Sequence, residues 1–243
     1  EKPTPLPLCQ TVREVGTQPA PTVMPRKSEK VAPGFLTVLG HDAPTITPTK
    51  TTSGRRAMLA QWLTRPDHPL MSRVIVNRIW QQHFGRGLVG TASDFGNLGE
   101  KPSHPELLDW IASDFVQEGW SFKKLHRSIV TSQTYQQSSL TPPDAVALQK
   151  DPDNRLLWRM TTRRLDAEQI RDAMLMVTGK LDRTIGGPSV EFKEPRRSVY
   201  FKWFRNTKDP LLEVFDLPDS FTSTAQRNVS TNSTQALYML NSS

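Results

Sequence analysis

Apolar side chains recur at helical spacing through most of the chain after residue 53, which predicts a series of amphipathic helices. The clearest is predicted over residues 70–84. The apolar face of this helix is predicted to centre on one row of side chains, Met71, Ile75 and Ile79. A second row beside it widens the face: Val76, Trp80 and Phe84. Gly85 follows at the position where a left-handed residue commonly ends a helix. A shorter helix is predicted before it, over "RRAMLAQWL" at residues 55–63.

Two helices joined by a tight turn are predicted over residues 103–132. Ser103 and Glu106 have the spacing of a capping box at the start of the first helix, and Gly119 ends it. The predicted inward-facing residues are Leu107, Leu108, Ile111 and Phe115 in the first helix, and Phe122, Leu125 and Ile129 in the second. We expect these two helices to run antiparallel, because the connection between them is short.

The last third of the chain predicts one longer helix, a strand and two short helices. Asp166 and Gln169 have capping-box spacing, and the helix after them has this buried stripe: Ala167, Ile170, Met174 and Val177. The stretch "RRSVYFKWFRN" at residues 196–206 is rich in β-branched and aromatic side chains, which favours a strand. "PLLEVFDLP" and "TNSTQALYML" predict the short helices.

Residues 1–53 differ from the rest, since they hold nine of the twenty prolines and lack helical periodicity. "PAPTVMPRK" and "GFLTVL" predict short edge strands, where proline is tolerated. We therefore expect residues 1–53 to form an extended proline-rich arm or linker and residues 54–243 to form the domain. The predicted fold class is mainly α: an irregular helical domain with a few short strands and that arm. We also expect the chain to be a fragment, truncated at both ends.

Composition and charge narrow the possible functions. Cys9 is the only cysteine, which excludes an internal disulfide, a c-type haem attachment and multi-cysteine metal sites in this chain. The net charge of +7 is spread: residues 1–53 carry six basic and four acidic side chains, and the remainder carries 25 and 20. A diffuse charge favours a mildly basic surface over a nucleic-acid site, which concentrates charge. The sequence has no apolar run long enough to predict a membrane span.

The stretch "NRIWQQHFGRGLV" at residues 77–89 is the first candidate for chemistry. Asparagine is unfavourable inside a helix because its amide competes for backbone hydrogen bonds, so Asn77 needs a partner. Either Asn77, Arg78 and His83 line a polar cleft, or Asn77 and Arg78 bind the backbone of a neighbouring loop, which we favour. The "GRG" segment lacks phosphate-loop spacing and follows a helix, whereas anion-binding loops precede one.

The stretch "RRLDAEQIRD" at residues 163–172 is the second candidate. Glu168 and Asp172 lie four residues apart on one helix face, which suits either acid–base chemistry or an ion-pair network that fixes the helix; we favour the network. The candidate polar cleft comprises eight residues: Asn77, Arg78, His83, His126, Arg163, Arg164, Glu168 and Asp172. No catalytic residue is assigned. No metal site is predicted, because the five histidines form no recognised metal-binding pair.

Long phrases of the chain resemble, in order, a planctomycete family. They include "NRIWQQHFGRGLV", "SDFGNLGEKPSHPELLDWIA", "GWSFKKLHRSIVTSQTYQQSS" and "DPDNRLLWRMTTRRLDAEQIRDAML", and the tail from residue 196 continues the similarity. The family is a C-terminal domain of unknown function in large proteins that often carry a planctomycete-type cytochrome c domain upstream. The resemblance covers about residues 11–243.

The resemblance implies a context and no reaction. It implies an extracytoplasmic location, periplasmic or at the cell surface, and upstream domains of the same polypeptide as partners. It places any c-type haem in a separate upstream domain and no cofactor in this chain.

The leading hypothesis is therefore an uncharacterised extracytoplasmic helical domain that acts as a binding or scaffold module. Its partner would be a domain of the same polypeptide, an extracellular polysaccharide or a protein. One alternative is a hydrolase or redox enzyme that acts on extracellular carbohydrate. A basic nucleic-acid-binding domain is the least favoured alternative. The sequence leaves open whether the protein is an enzyme.

Overall fold

The computed structural model describes residues 22–24, 30–39, 43–140, 145–204, 206–219 and 221–241. The helices in these ranges are α1 Arg55–Leu63, α2 Met71–Phe84, α3 Pro105–Gln117, α4 Phe122–Val130, α5 Ala145–Lys150, α6 Ala167–Val177, α7 Pro210–Val214 and α8 Ser233–Asn241. Strands β1 Thr22–Val23 and β2 Lys30–Val31 pair antiparallel. The predicted mainly α class with a few short strands is confirmed. Much of the predicted arm, with Cys9 and His41, lies outside the described residues.

Among the described helices, none is both long and apolar enough to cross a bilayer. The predicted strand "GFLTVL" is wrong, because its last three residues, Thr37–Leu39, form a 3-10 turn. The strand predicted within "PAPTVMPRK" is confirmed over two residues, β1. Its register with β2 pairs Thr22 with Val31.

The first core lies between α2, α3 and α4. Its buried members are Val76, Trp80, Phe84, Leu88, Val89, Leu108, Ile111, Phe115, Leu125 and Ile129. The centre of the α2 apolar face differs from the prediction, since Val76, Trp80 and Phe84 are buried while Ile75 and Ile79 are only partly so. An apolar stripe is wide enough that the neighbouring helices decide which of its rows faces the centre.

The start of α3 also differs from the prediction. The residue before the helix is His104, whose side chain caps no backbone N–H, so the predicted capping box of Ser103 and Glu106 is wrong. The Ser103 hydroxyl and backbone N–H instead donate to the carbonyl of Leu88, at 3.3 and 2.8 Å. The serine thus holds the loop that follows α2 against the start of α3.

The Gly-Arg-Gly segment ends α2 and makes room for a buried amide. Gly85 has φ +84° and its N–H donates to the Gln81 carbonyl, 2.8 Å away, as predicted for a left-handed helix stop. A Cβ at Gly87 would lie 2.6 Å from the Asn77 amide nitrogen, so no side chain fits there. The two glycines therefore have structural roles: Gly85 ends α2, and Gly87 leaves space for the Asn77 side chain.

Asn77 binds the backbone of the loop after α2, as the sequence favoured, whereas Arg78, expected to do the same, is exposed on α2. The Asn77 side chain is 0% exposed. Its amide nitrogen donates to the Val89 carbonyl at 3.0 Å, and its amide oxygen accepts from the Val89 N–H at 2.9 Å. Two hydrogen bonds to one residue replace the strand-like pairing that this loop lacks.

The second core lies between α6, α7 and a 3-10 turn, Ser198–Tyr200. Its buried members are Ala167, Phe201, Leu211, Leu212 and Phe215. The predicted capping box of Asp166 and Gln169 at the start of α6 is confirmed. The predicted burial of Val177 is wrong, because its side chain is 88% exposed where the last turn of α6 projects past its neighbours.

The strand predicted over residues 196–206 is wrong. Single bridges, such as Val190 with Phe201, replace a ladder. Arg196 is buried and donates to the carbonyls of Pro188 at 2.9 Å, of Thr184 at 3.3 Å and of Gly186. These contacts hold the loop of residues 184–188 on the segment.

Arg171 on α6 also binds the segment around Arg196. Its guanidinium donates to the carbonyls of Phe192, Glu194 and Arg196, at 2.9, 2.7 and 3.0 Å. It also stacks 4.3 Å from the centre of the Phe201 ring. One side chain thus satisfies three carbonyls that no helix or sheet satisfies.

We predict that Asn77→Ala lowers the free energy of unfolding by about 3 kcal/mol, because it leaves the buried N–H and carbonyl of Val89 without a partner. Urea denaturation followed by circular dichroism measures this change. Arg78→Ala is the control, since Arg78 is the next residue of α2 but is exposed. We expect that control to change the unfolding free energy by less than about 0.5 kcal/mol. Equal losses in the two variants would contradict a specific role for the Asn77 amide.

Candidate functional site

An open cleft of about 550 Å³ lies between the two cores. Three segments line it: the last turn of α2 with Gly85, the connecting segment of residues 161–166, and the loop of residues 218–219 and 221–229. We call this space the interhelix cleft and the last of the three segments the cleft loop. The cleft joins residues that are up to about 150 positions apart in the sequence, so only the fold creates it.

The lining of the interhelix cleft is rich in amide and hydroxyl groups. Gln82 is exposed at the end of α2, and Thr162 is exposed on the connecting segment. Thr224 and Gln226 are exposed on the cleft loop. The ring of Phe84 adds an apolar floor that belongs to the first core. Such side chains offer both donors and acceptors to a polar ligand.

Arg163 differs from the other two arginines of this cleft. It is exposed, and no described residue accepts a hydrogen bond from it or forms an ion pair with it. Its stem lies over Gly85, so that a Cβ added to this glycine would lie 3.5 Å from the Arg163 Cδ. A cation is favoured at the end of α2 by the negative end of the helix dipole.

The other two arginines of the cleft hold the cleft loop. Arg227 donates from both terminal nitrogens to the two Glu168 carboxylate oxygens, at 2.6 and 2.9 Å. Arg164 donates to the Ser230 carbonyl, and its guanidinium lies 5.3 Å from the centre of the Phe215 ring. The two-pronged pair fixes the direction of both side chains as well as their distance.

Glu168 is ionised in this pair. Burial by itself raises the pKa of Glu168, but the hydrogen bond and charge of Arg227 outweigh burial, so the pKa lies below its ordinary value. The same contact raises the pKa of Arg227. Both groups therefore carry their charges at neutral pH and form an ion pair. The sequence analysis favoured such a structural role for Glu168 over acid–base chemistry.

His83 and His126 form a second pair at the edge of the first core. The His83 Nε2 and His126 Nδ1 atoms are 2.8 Å apart, so one ring donates its N–H and the other accepts. The ring centres are 5.1 Å apart, which is close to the sum of the N···N distance and two ring radii. The two ring centres and the two bonded nitrogens therefore lie nearly on one line, as a good hydrogen bond requires. The Tyr135 ring packs edge-on against His83.

The pKa of His83 lies below its ordinary value. Burial is the largest cause, followed by the charges of His126 and of Arg163. His83 is therefore neutral at pH 7. Arg163 connects this pair to the interhelix cleft, since it acts on His83 and lines the cleft.

The structure separates the remaining candidate residues. Asp172 faces away from the cleft and accepts from the hydroxyl and N–H of Ser198, at 2.7 and 2.9 Å. Asn77 is committed to Val89 in the first core, and Arg78 is exposed on α2 outside the cleft lining. Arg163, Arg164 and the Glu168 pair thus meet at the cleft, while Asn77, Arg78 and Asp172 do not.

Sequence reasoning missed two groups that shape the cleft. Arg227 lies 59 residues from Glu168 in a polar stretch without periodicity, so no local signal marked it. Asp216 has φ +63°, and its carboxylate accepts from the Ser230 N–H at 2.8 Å and hydroxyl at 2.7 Å. A short polar residue with positive φ is a signal that structure alone supplies.

The structure gives the "DPDN" turn of residues 151–154 a local role. The Asp151 carboxylate accepts from the N–H groups of Arg155 and Leu156, at 2.8 and 2.7 Å. The Asn154 amide donates to the Arg159 carbonyl at 2.9 Å. Throughout the described ranges, no three His, Cys, Asp or Glu side chains are grouped as metal ligands.

Comparison with known proteins assigns the chain to a family. A model of the PSD1 family, described as protein of unknown function (DUF1553), matches residues 55–243. The chain belongs to the PSD1 family. The matched region contains both cores and the whole interhelix cleft. No curated protein and no solved structure matches the chain.

We predict that Glu168→Gln in this PSD1 protein lowers the free energy of unfolding by about 1 kcal/mol and speeds amide hydrogen exchange in the cleft loop, because the ion pair with Arg227 is lost. Because the pKa of Glu168 is lowered on folding, this contribution is present above the ordinary pKa and is lost as pH falls through the lowered one. Glu191→Gln is the control, since its pair with Lys202 is about half exposed. Unchanged exchange in the cleft loop of Glu168→Gln would contradict the assignment.

We predict that His126→Gln raises the pKa of His83 toward its ordinary value, because it removes one of the charges that lower it. The imidazole resonances followed by NMR against pH report this pKa. In the wild type the unfolded chain binds the His83 proton more readily than the folded one, so stability falls as pH drops through the window below the ordinary pKa. Lys123→Gln on the exposed face of α4 serves as the control. An unchanged His83 pKa in His126→Gln would show that the two rings are not coupled.

Proposed function

We propose that this PSD1 domain is a binding module that takes a polar, hydroxyl-rich ligand in the interhelix cleft. The observation that carries this proposal is the cleft itself, an open space of about 550 Å³ with amide, hydroxyl and guanidinium groups on three separate segments. A concave surface with convergent polar groups is the usual form of a ligand site. Carbohydrates present the hydroxyl groups that such side chains bind.

The walls of the cleft are held before any ligand arrives. The Glu168–Arg227 pair fixes the cleft loop to α6, and Arg164 of the connecting segment binds Ser230, the residue directly after that loop. Asp216 fixes the end of the loop through Ser230. A site whose donors are already oriented loses less conformational entropy on binding, which supports a role in recognition.

The wider context is part of the proposal. The sequence resemblance supports an extracytoplasmic domain, periplasmic or at the cell surface, within a larger planctomycete polypeptide. We propose that its upstream domains are its first partners and that a c-type haem, where present, belongs to one of them. An extracellular polysaccharide is the external ligand that the hydroxyl-rich lining favours, ahead of a protein.

One observation favours a second candidate, an enzyme that acts on extracellular carbohydrate. His83 is neutral at pH 7, is hydrogen-bonded to His126 and is influenced by Arg163 of the cleft. A neutral histidine held by a second ring can accept a proton from a substrate. Release of reducing sugar that disappears in both His83→Ala and His126→Gln, with binding retained, would favour the enzyme. Absence of turnover by the wild type would leave binding alone.

The charge of the cleft argues against the nucleic-acid alternative. Arg163, Arg164 and Arg227 face three carboxylates: Asp166 and Asp219 in the lining, and Glu168 behind it. The balance is zero, whereas a phosphate backbone binds to an excess of positive charge. An affinity for neutral oligosaccharides that changes little with salt, and no affinity for duplex DNA, is the expected outcome.

We predict that Gln82→Trp abolishes oligosaccharide binding, because the indole would fill the end of the cleft formed by α2. Isothermal titration of the 243-residue chain with a panel of soluble plant, algal and bacterial oligosaccharides measures the affinity. Gln61→Trp is the matched control, since Gln61 is equally an exposed glutamine on a helix but lies on α1 outside the cleft lining. Binding that survives Gln82→Trp, or that is lost equally in Gln61→Trp, would contradict a site in the cleft.

A further inference from the structure

We infer that the interhelix cleft selects a saccharide that carries one carboxylate among neutral sugar units, and that Arg163 recognises that carboxylate. This inference rests on the proposed function, since it names the ligand class of the same site. In this inference Arg163 determines which saccharide binds. The experiment below tests that preference separately from binding itself.

Arg163 has the properties that carboxylate recognition requires. Its guanidinium is always charged and presents parallel N–H groups that match two carboxylate oxygens. No described residue occupies those groups through a hydrogen bond or an ion pair, although Arg163 lines the cleft. Its stem packs on Gly85 at the end of α2, which limits the positions its head can take.

The other two arginines of the cleft differ from Arg163 in this respect. Arg227 already holds both oxygens of Glu168, and Arg164 donates to the Ser230 carbonyl. A ligand carboxylate that competed for Arg227 would leave Glu168 without its partner. The cleft therefore offers one free guanidinium among its described residues, and a ligand with one acid group matches it.

The charge balance excludes a densely charged ligand. Asp166 and Asp219 line the same cleft and would repel further carboxylates. Most of the other exposed polar side chains of the lining are neutral donors and acceptors, such as Gln82, Thr162 and Thr224. Neutral sugar hydroxyls suit that lining, and a run of acid groups does not.

A saccharide fits this lining better than an acidic peptide does. Peptide grooves supply apolar pockets for alternate side chains in addition to polar contacts. Here the exposed positions are mostly glutamine, threonine and arginine, and the ring of Phe84 is largely covered by the first core. We therefore expect an acidic peptide to bind more weakly than the singly charged oligosaccharide.

The experiment compares a xylo-oligosaccharide bearing one glucuronic acid with the same xylo-oligosaccharide without it, by isothermal titration of the 243-residue chain at low and at physiological salt. We expect the acidic form to bind about tenfold more tightly, because one charge-assisted contact at an exposed site is gained. Arg163→Ala should abolish this preference, and Arg163→Lys should keep part of it. Arg78→Ala removes the same charge from an exposed α2 position outside the cleft and should keep the full preference.

The outcomes separate the inference from the proposed function. Equal affinity for the two oligosaccharides, with binding lost in Gln82→Trp, overturns the inference and leaves the binding module standing. Equal loss of preference in Arg78→Ala and Arg163→Ala also overturns it, since diffuse charge would then explain the effect. Tighter binding of a polyglutamate peptide or of polygalacturonate than of the singly charged oligosaccharide overturns the ligand class. Binding of neither oligosaccharide overturns both ideas.

Discussion

Hydrogen bonds from buried or half-buried side chains to backbone carbonyls hold together the parts of this protein that have no regular structure. The Arg171 guanidinium donates hydrogen bonds to three backbone carbonyls, and the Arg196 guanidinium donates to three others. Asn77 closes the loop after α2 in the same way. Buried carbonyls must find donors, and the two short described strands cannot supply them here. The long segments between helices therefore depend on a few planar, multi-donor side chains.

The same principle shapes the interhelix cleft. Its walls come from a helix end and two irregular segments, and such segments keep one conformation only when side chains fix them. The Glu168–Arg227 pair and the Asp216–Ser230 contacts do so here. Because these groups are occupied in holding the walls, they are unsuited to bind a ligand directly. Arg163 differs, since no described residue forms a hydrogen bond or an ion pair with its guanidinium, and this contrast gives the cleft its proposed specificity.

The helices were largely predictable from sequence, and the errors have a common cause. Local signals located α2 with Gly85 as its end, and they located the capping box of Asp166 and Gln169. The errors came where a residue with a strong local preference had a distant partner. Ser103 has the spacing of a helix cap but binds Leu88, and the segment after Arg196 has strand composition but is tied to a loop by that arginine. A tertiary hydrogen bond outweighs a local propensity of a few tenths of a kcal/mol per residue.

The sequence by itself determined the helical class and the positions of most helices, because each follows from spacing along one chain segment. It favoured a structural role for Asn77 but left a polar cleft as the alternative. It also marked Arg163, Arg164 and Glu168 as one charged constellation. Only the tertiary structure decided that Arg227 pairs with Glu168, that His83 meets His126, and that Asp172 faces away from the cleft. The partners in these three contacts lie between 26 and 59 positions apart. Spacing along one helix predicts which side chains share a face, and the packing of the two cores decides what that face meets.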